Sequence, residues 1–375
     1  MKQPIQSVIR FMRREVVLTA AVLLALLSSV FVGPANLDLS YIDWNTLALL
    51  FGLMAVMKGF QKAGMFLSLG SRLLEVTAST RSMLAVLVFL PFVCSMVITN
   101  DVSLITFVPF GIAVLKIAGQ EKLVVPMAVL QTAAANLGSM FTPMGNPQNL
   151  YLYGKSGMGF LELCGILFPY VLASGLAILL LIVIRKPEPV KSMSIDVQMG
   201  STKMLVLCFA GFAICLLGIF KLLPPLLIAA VIAAFLLAFD RELLLSVDYS
   251  LLGTFLAFFI FIGNVSGIES FQAFLSAALA GREVLVSVLA SQVISNVPAA
   301  LLLSGFTSQW ESLLIGCNLG GLGTLIASMA SLISYKLIAQ EYPEQKGTYF
   351  FWFTVCNVGL LALLLALYFL LEMLF

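Results

Sequence analysis

Two short polar clusters interrupt apolar runs of this chain, and their residue types could bind ions or polar solutes. They are Thr99-Asn100-Asp101 and Ser295-Asn296-Val297. The first precedes the apolar arm 102–115, so the unsatisfied N–H groups at that helix start could bind an anion or a polar solute. The carbonyl groups that end the preceding arm would lie at the same depth and could bind a dehydrated cation. One tip thus offers ligands for both signs of charge.

Asp101 is the acidic residue of these clusters, and the second cluster carries no charge. A carboxylate at membrane depth costs at least about 2.5–3.5 kcal/mol on the insertion scale. Helix capping alone does not require that charge, because Asn and Asp are about equally good N-caps. We therefore expect Asp101 to be functional, and the alternative is that Asn100 and Asp101 only cap the helix. In the second cluster, Asn296 is predicted near the N-cap and Pro298 in the first turn.

A third cluster, 136–149, lies in the middle of the charge-free run 123–154. A continuous helix over that run would be roughly 48 Å long, but two glycines and two prolines interrupt it. Irregular backbone at membrane depth persists only where it lines a cavity, so a site is favoured over a merely kinked crossing. Asn146-Pro147 is predicted to start a new helix. The candidate binding residues here are Gly138, Ser139, Thr142, Pro143, Gly145, Asn146, Gln148 and Asn149.

The counterpart in the second half is the glycine-rich stretch 320–328, which has no proline. We therefore expect a shorter unwound segment there. Its candidate binding residues are Gly323, Thr324, Ala327 and Ser328.

Composition sets the class of protein that carries these clusters. Of the 375 residues, 61% are hydrophobic and 10% are charged, against roughly a quarter charged in soluble domains. The chain contains no histidine, and its six cysteines form no C-x-x-C pair, so neither a metal site nor a disulfide framework is indicated. No nucleotide-binding P-loop is present either, which argues against primary pumping. The sequence predicts an all-α polytopic membrane protein.

Apolar runs of about 20 residues place the predicted crossings. They lie near 16–32, 44–60, 123–153, 160–184, 204–220, 222–239, 248–264, 312–335 and 348–371. Segments 82–115 and 284–310 have polar centres and are predicted to be re-entrant hairpins. The arms of the second, about 11–13 residues each, would be roughly 17–20 Å long and too short to cross.

The basic residues fit this layout. With a cytoplasmic N-terminus, 17 of the 20 Lys and Arg residues fall on the cytoplasmic side and 3 outside, as expected for a bacterial inner-membrane protein. The first apolar run, preceded by Arg10, Arg13 and Arg14, is interpreted as an uncleaved crossing rather than a signal peptide.

Two halves of the chain align with each other. Residues 43–47 match 248–252, residues 98–100 match 294–296, and residues 136–139 match 321–324. The first matched element begins a crossing from opposite sides in the two halves, so we predict inverted repeats over 1–184 and 204–375, joined by a cytoplasmic linker at 185–203. Inverted repeats with broken helices are typical of secondary transporters, whose sites lie at the bilayer midplane.

The three clusters, over about 43–337, resemble the ion transporter superfamily. They are most similar to its citrate-transporter-like, arsenite/sodium–proton permease branch, and within it to bacterial anion permeases of the YbiR type. The resemblance implies an elevator-type, commonly dimeric carrier of an anion or oxyanion, coupled to Na⁺ or H⁺. It also implies one Na⁺ site near Thr99, Asn100 and Gly138 and another near Ser295, Asn296 and Ala327.

This chain departs from the family pattern at the third position of each tip, where the dicarboxylate carriers have Thr and this chain has Asp101 and Val297. A fixed carboxylate would repel a dianion, which favours proton coupling or a neutral or monoanionic solute. The sequence thus predicts a secondary transporter of a small anion, oxyanion or carboxylate. The alternatives are an arsenite-type efflux permease, a Na⁺/H⁺ antiporter and, less favoured, a channel or an intramembrane enzyme. Apart from the coupling ion no cofactor is expected, and the expected partners are the substrate, the bilayer and a second copy of the chain, but no nucleic acid.

Overall fold

The computed structural model describes Met12, Val197 and residues 15–32, 38–190 and 199–374. The predictions for Arg10, Arg13 and Arg14 and for linker residues 191–196 lie outside these residues. The described part is almost entirely helical. Its first half contains α1 (Val16–Val32), α2 (Trp44–Lys62), α3 (Met65–Leu74), α4 (Thr80–Cys94), α5 (Asn100–Ile117), α6 (Val124–Ser139), α7 (Pro147–Ser156) and α8 (Phe160–Val183).

The second half begins after the linker. It contains α9 (Thr202–Ile219), α10 (Pro225–Phe239), α11 (Arg241–Leu245), α12 (Tyr249–Ser266), α13 (Glu269–Leu279), α14 (Glu283–Ile294), α15 (Asn296–Leu303), α16 (Trp310–Leu319), α17 (Met329–Glu341) and α18 (Lys346–Leu374). Three short 3₁₀ helices lie at Leu39–Tyr41, Glu121–Leu123 and Pro343–Gln345.

Length and hydropathy make this a multi-pass membrane protein. Five helical segments among the described residues are long and apolar enough to cross a bilayer, or seven if each of two bent helix pairs counts as one span. The bent pairs are α2 with α3, at 50°, and α13 with α14, at 114°. The fold class predicted from the sequence is confirmed.

The two predicted hairpins differ in length. In the first, α4 has 15 residues and α5 has 18, and α5 alone meets the criteria for a span. In the second, α14 has 12 residues and α15 has 8. The expected 11–13 residues for each arm of the second hairpin is therefore wrong for the trailing arm, because the chain turns away at Ser304.

Local capping chemistry explains where the broken helices restart. Asn146 is the N-cap of α7, with Pro147 at the first helical position, where its missing N–H costs nothing. Ser328 is the extended N-cap of α17. The first break covers residues 140–146 and the second covers 320–328, so the second is longer, against the sequence-based expectation. Without a proline to restart the helix, the glycine-rich segment stays irregular up to Ser328.

The helices pack in two groups. The five-helix group consists of α1, α2, α9, α10 and α12, with α1 against α12 and α2 against α9 and α10. The site group consists of α4–α8 and α14–α18, in which α4 packs on α6 and α14 packs on α16. The groups meet mainly where α2 contacts α7 and α12 contacts α15. Both halves of the chain contribute to each group.

Candidate functional site

Each hairpin tip is attached to the break of the neighbouring broken helix by the same backbone hydrogen bond. The N–H of Asn100 donates to the carbonyl of Gly145 at 3.2 Å, and the N–H of Asn296 donates to the carbonyl of Ala327 at 2.9 Å. The accepting residue in each case directly precedes the N-cap of α7 or α17. Both tips therefore dock in the same way, and the matched sequence of the two tips reflects matched geometry.

The two broken helices are cross-linked by four buried hydrogen bonds in a reciprocal pattern. The Asn136 amide on α6 donates to Ser331 at 3.2 Å, and its oxygen accepts from Ser328 at 3.0 Å. The Asn318 amide on α16 makes the same pair with the other half. It donates to Asn149 at 2.7 Å and accepts from Asn146 at 3.4 Å.

This pattern corrects the sequence alignment of the two halves. Asn136-Leu137-Gly138 corresponds to Asn318-Leu319-Gly320, three residues earlier than the match at 321–324. Both asparagines lie nine residues before the carbonyl that accepts from a tip. The match at 321–324 placed Gly323 opposite Gly138, whereas the contacts place Gly320 there.

The side chains of the two tips have different surroundings. Asn100 is 5% exposed, and its amide donates to the Asn136 oxygen at 2.9 Å. Asn296 is 4% exposed, and its oxygen is 3.5 Å from the Ser295 hydroxyl, at the limit of a hydrogen bond. The first tip is therefore joined directly to the asparagine cross-links. The second is joined to its own break, where the Ser295 hydroxyl donates to the Ala327 carbonyl at 3.3 Å.

The N-cap residues of α5 and α15 also differ in backbone conformation. Thr99 is extended, at φ −66° and ψ 149°. Ser295 has φ 74° and ψ 153°, a region that is almost confined to glycine and costs a side-chain-bearing residue about 1–3 kcal/mol. Strain is therefore stored at the second tip and not at the first.

Asp101 occupies the first turn of α5 rather than the N-cap position. Its backbone N–H donates to the Asn100 side-chain oxygen at 3.0 Å, whereas its carboxylate accepts no hydrogen bond from the described residues. The side chain is partly exposed. Capping of α5 by the Asp101 side chain, the alternative left open by the sequence, is absent from this arrangement.

The breaks are held against the hairpins by equivalent threonines. The Thr142 hydroxyl donates to the carbonyl of Met96, and the Thr324 hydroxyl lies 3.5 Å from the carbonyl of Gln292. The Gln292 side chain strengthens the second contact. It accepts from the Thr324 N–H at 2.9 Å and donates to the carbonyls of Gly320 and Leu322, each at 3.0 Å.

Glycines permit the closest approaches in the first half. A Cβ on Gly138 would lie 2.0 Å from the Phe92 carbonyl oxygen, and a Cβ on Gly145 would lie 2.0 Å from the Ser139 carbonyl oxygen. A Cβ on Gly320 would instead meet the Ser291 hydroxyl at 2.5 Å. Packing around these glycines is tighter in the first half, because the atoms nearest to Gly138 and Gly145 are backbone atoms. The atom nearest to Gly320 belongs to a side chain.

Several predicted residues are thus brought together, and others are not. Asn146, Asn149 and Ser328 join the cross-links, whereas Thr324 is exposed on the surface of its break. Ser139 and Pro143 are buried, and the Ser139 hydroxyl donates to the Asn136 carbonyl at 2.9 Å. Val297 is buried in the first turn of α15.

Gln148 is fully buried, and neither its amide nitrogen nor its oxygen has a protein partner. The side-chain oxygen of Asn146, two residues before it, also has no partner among the described residues. Buried polar atoms are rarely left unsatisfied. The start of α7 therefore has free hydrogen-bonding capacity for a solute or for water.

The carbonyl oxygens implied as Na⁺ ligands are already engaged at both tips. The Gly138 carbonyl accepts from the N–H groups of Met140 and Phe141, and the Ala327 carbonyl accepts from Asn296 and Ser295. A carbonyl oxygen has two lone pairs, so each must give up a hydrogen bond before it can bind a cation. The side-chain oxygen of Asn100 accepts one hydrogen bond, from Asp101, and keeps a lone pair for a cation.

Three residues of this centre escaped the sequence reasoning: Asn318, Ser331 and Gln292. The repeated letters Asn-Leu-Gly at 136–138 and 318–320 were the available signal for Asn318. The other two are polar residues in apolar helices with no motif of their own.

A many-helix membrane fold with two docked tips and two broken helices defines a membrane transporter rather than an enzyme. Comparison with known proteins gives the family. The family model for the citrate transporter matches residues 8–308, and the chain belongs to the citrate transporter family. It is 32% identical over 300 residues to inner membrane protein YbiR of Escherichia coli (strain K12), covering 79% of this chain and 80% of that protein.

Two further relatives are similar over different lengths. An uncharacterized transporter of Methanocaldococcus jannaschii is 32% identical over 301 residues, covering 79% of this chain and 81% of its own. A silicon efflux transporter of Oryza sativa subsp. japonica is 32% identical over 168 residues, covering 44% of this chain and 34% of its own.

Proposed function

We propose that this transporter moves a small monoanionic oxyanion or carboxylate across a bacterial inner membrane, coupled to H⁺ or Na⁺ through Asp101. The observation that carries the proposal is the Asp101 carboxylate, which lies at the start of α5 beside the asparagine cross-links and accepts no hydrogen bond from the described residues. A free carboxylate at a docked tip can take up a proton or a cation and release it after the tip has moved. A carboxylate that caps a helix could not do so without breaking its hydrogen bonds.

The polar residues around the tips favour a substrate of low charge. Asn100, Asn136, Gln148, Asn318 and Ser331 are neutral, and the candidate binding residues include neither lysine nor arginine. Amide and hydroxyl groups bind oxygen atoms of a solute without compensating a double negative charge. A dianion would place two negative charges beside Asp101 with no cationic side chain opposite them, whereas a monoanion adds only one, which a single co-transported cation compensates.

The movement we propose is of the elevator type, with the site group sliding against the five-helix group. The main contacts between the groups involve α2 with α7 and α12 with α15, whereas the cross-links lie within the site group. A rigid site group can therefore move without disrupting its own hydrogen bonds. A homodimer and a cytoplasmic N-terminus are part of the same proposal.

The experiment uses the purified protein in proteoliposomes that contain a pH-sensitive dye. A thermal-shift screen against phosphate, arsenite, acetate, citrate and Na⁺ first selects a solute. We expect that solute to drive proton movement in the wild type and not in Asp101→Asn, which should still exchange the solute passively. Asp101→Glu should recover part of the coupling.

Asp43→Asn is the matched control, because Asp43 caps α2 by accepting from Thr46 at 3.0 Å, a role in which Asn substitutes well. It should transport as the wild type does. Unchanged proton-coupled uptake in Asp101→Asn would refute the role of Asp101.

The proposed orientation places positions 116 and 155 on opposite sides of the membrane. Single-site cysteines at 116 and 155 that react with an impermeant reagent from the same side would contradict this orientation.

A second candidate function is efflux of a neutral hydroxylated solute; the rice relative is named a silicon efflux transporter. The absence of basic residues from the candidate binding residues favours it. The test measures uptake of arsenite at a pH where it is undissociated. Uptake that depends neither on the pH gradient nor on Asp101 would favour this function over a proton-coupled one.

A further inference from the structure

An apolar groove lies at the junction of α6, α8 and α18, remote in sequence from the tips. It encloses a cavity of about 790 Å³. The groove is lined by Pro126, Val129, Leu130, Ala177, Leu180, Leu181, Ile184, Arg185, Trp352, Val355, Cys356, Gly359, Leu360 and Leu363. Arg185 is the single charged residue in this lining, and it lies at one end.

The groove is about as deep as one leaflet of a bilayer. Along α18 the lining runs from Trp352 to Leu363, about 16 Å of helix at 1.5 Å per residue. Half of a hydrocarbon core about 30 Å thick is about 15 Å. Trp352, the first lining residue on α18, is 52% exposed, and tryptophan is enriched at membrane interfaces. The groove therefore extends from the interface towards the middle of the bilayer.

A second guanidinium reinforces the charged end. Arg81 donates to the backbone carbonyl of Arg185 from Nη2 at 2.7 Å and from Nε at 3.2 Å. The nearby linker carboxylate of Glu188 is bound by Lys122 at 2.6 Å, so it does not offset these cations. The end of the groove carries net positive charge above an apolar channel.

We infer that this groove binds an anionic phospholipid, with its phosphate at Arg185 and Arg81 and an acyl chain along α8 and α18. Basic pockets between membrane helices bind the headgroups of anionic lipids in this way.

Gly359 supplies the decisive variant. A Cβ at this position meets no atom within 4 Å, so Gly359→Leu should fill the groove without disturbing the helices around it. Gly165→Leu is the matched control, because Gly165 lies on α8, has equally open space and is absent from the lining. Arg185→Gln tests the charge, with Lys155→Gln as its control for loss of a cation elsewhere.

The full-length protein is placed in nanodiscs of phosphatidylcholine with increasing phosphatidylglycerol, and its melting temperature is measured. We expect phosphatidylglycerol to raise the melting temperature of the wild type, Gly165→Leu and Lys155→Gln. Arg185→Gln should need about fivefold more phosphatidylglycerol for the same rise, the effect of one basic side chain near an anionic surface. Gly359→Leu should lose the rise.

The inference is overturned if the two lipids stabilise the wild type equally or if Gly359→Leu keeps the full rise. It is also overturned if Gly359→Leu converts a dimer into a monomer by mass photometry while lipid has no effect, since a second copy would then be the occupant. Should Gly359→Leu fail to yield monodisperse protein, Arg185→Gln decides, because its side chain lies at the exposed end of the groove.

Discussion

The two hairpin tips share one backbone contact and differ in almost everything else. Asn100 and Asn296 each donate a backbone hydrogen bond to the residue before a restarting helix. The first tip is relaxed, carries Asp101 and connects through Asn100 to the asparagine cross-links. The second is strained at Ser295, carries Val297 and bonds mainly to its own break.

This difference suits the two tips to different tasks, ion binding and conformational change, although a repeated fold could have given both tasks to both tips. The first tip has the titratable group, Asp101, and the Asn100 side-chain oxygen has a lone pair to spare, so this tip is suited to carry the coupling ion. The second tip stores backbone strain at Ser295, so it is suited to change conformation. The repeats give both halves the same backbone arrangement, and individual side chains then make the two tips chemically different.

The largest expected effect compares the glycines behind the tips. Gly138→Ala places a Cβ 2.0 Å from a backbone oxygen of Phe92, whereas Gly320→Ala places one 2.5 Å from the Ser291 hydroxyl. Overpacking costs typically about 1–3 kcal/mol and occasionally more, and backbone yields less than a side chain. We expect Gly138→Ala to abolish folded protein or to lose about 3 kcal/mol, and Gly320→Ala to lose about 1–2 kcal/mol. Fluorescence size-exclusion and thermal melts measure both, and equal losses would contradict the tighter first half.

The next comparison removes one amide from each tip. Asn100→Ala removes two hydrogen bonds, one to the buried Asn136 oxygen, which keeps Ser328 as a donor, and one from the Asp101 N–H, at a cost of about 0.5–1.5 kcal/mol each. Asn296→Ala removes only a weak contact to Ser295, so its stability should fall by less than about 1 kcal/mol. Both variants should lose transport of the solute selected in the screen. A melting temperature lowered equally in both, or full transport in either, would show that the tips are not divided as proposed.

A smaller effect is expected from relieving the strained residue. Ser295→Gly releases about 1–3 kcal/mol of backbone strain and loses one hydroxyl bond of about 0.5–1.5 kcal/mol. The balance should be neutral to stabilising by about 1 kcal/mol. Thr99→Gly has no strain to release and should destabilise by about 0.5–1 kcal/mol. Denaturant or thermal unfolding of the two variants measures this difference. Destabilisation of similar size in both would show that Ser295 is not strained.

The smallest effect concerns the base of the first hairpin, where residues 188–190 lie along the start of α4. Thr80 donates to the Glu188 carbonyl at 2.8 Å, and the Lys122 ammonium holds the pKa of the Glu188 carboxyl below its usual 4.5. Because the folded pKa is lowered, this contribution is complete above about pH 4.5 and is lost as pH falls below it. Glu188→Gln should flatten the slight fall in melting temperature below pH 4.5 and remove its dependence on salt. An identical pH profile in wild type and Glu188→Gln would exclude this contribution.

Much of the fold could be read from the sequence, because its signals are local. Apolar runs located the spans, and Asn146-Pro147 located the restart of a helix at the residue where it occurs. The lack of proline in 320–328 predicts a shorter second break, and this prediction is wrong. Three glycines and a hairpin contact through Gln292 instead keep that segment irregular.

The sequence by itself determined the membrane class, the positions of the breaks and the residues at the tips, because hydropathy and the chemistry of Pro, Gly and Asn act within a few residues. Tertiary structure alone decided which asparagines meet, since Asn318 and Asn149 are far apart in the chain and come within 2.7 Å only when both halves are packed. It also decided that Ser295 is strained while Thr99 is not. Both tips make the same backbone hydrogen bond, but the Ser295 hydroxyl also donates to the distant Ala327 carbonyl, and no local sequence preference encodes that partner.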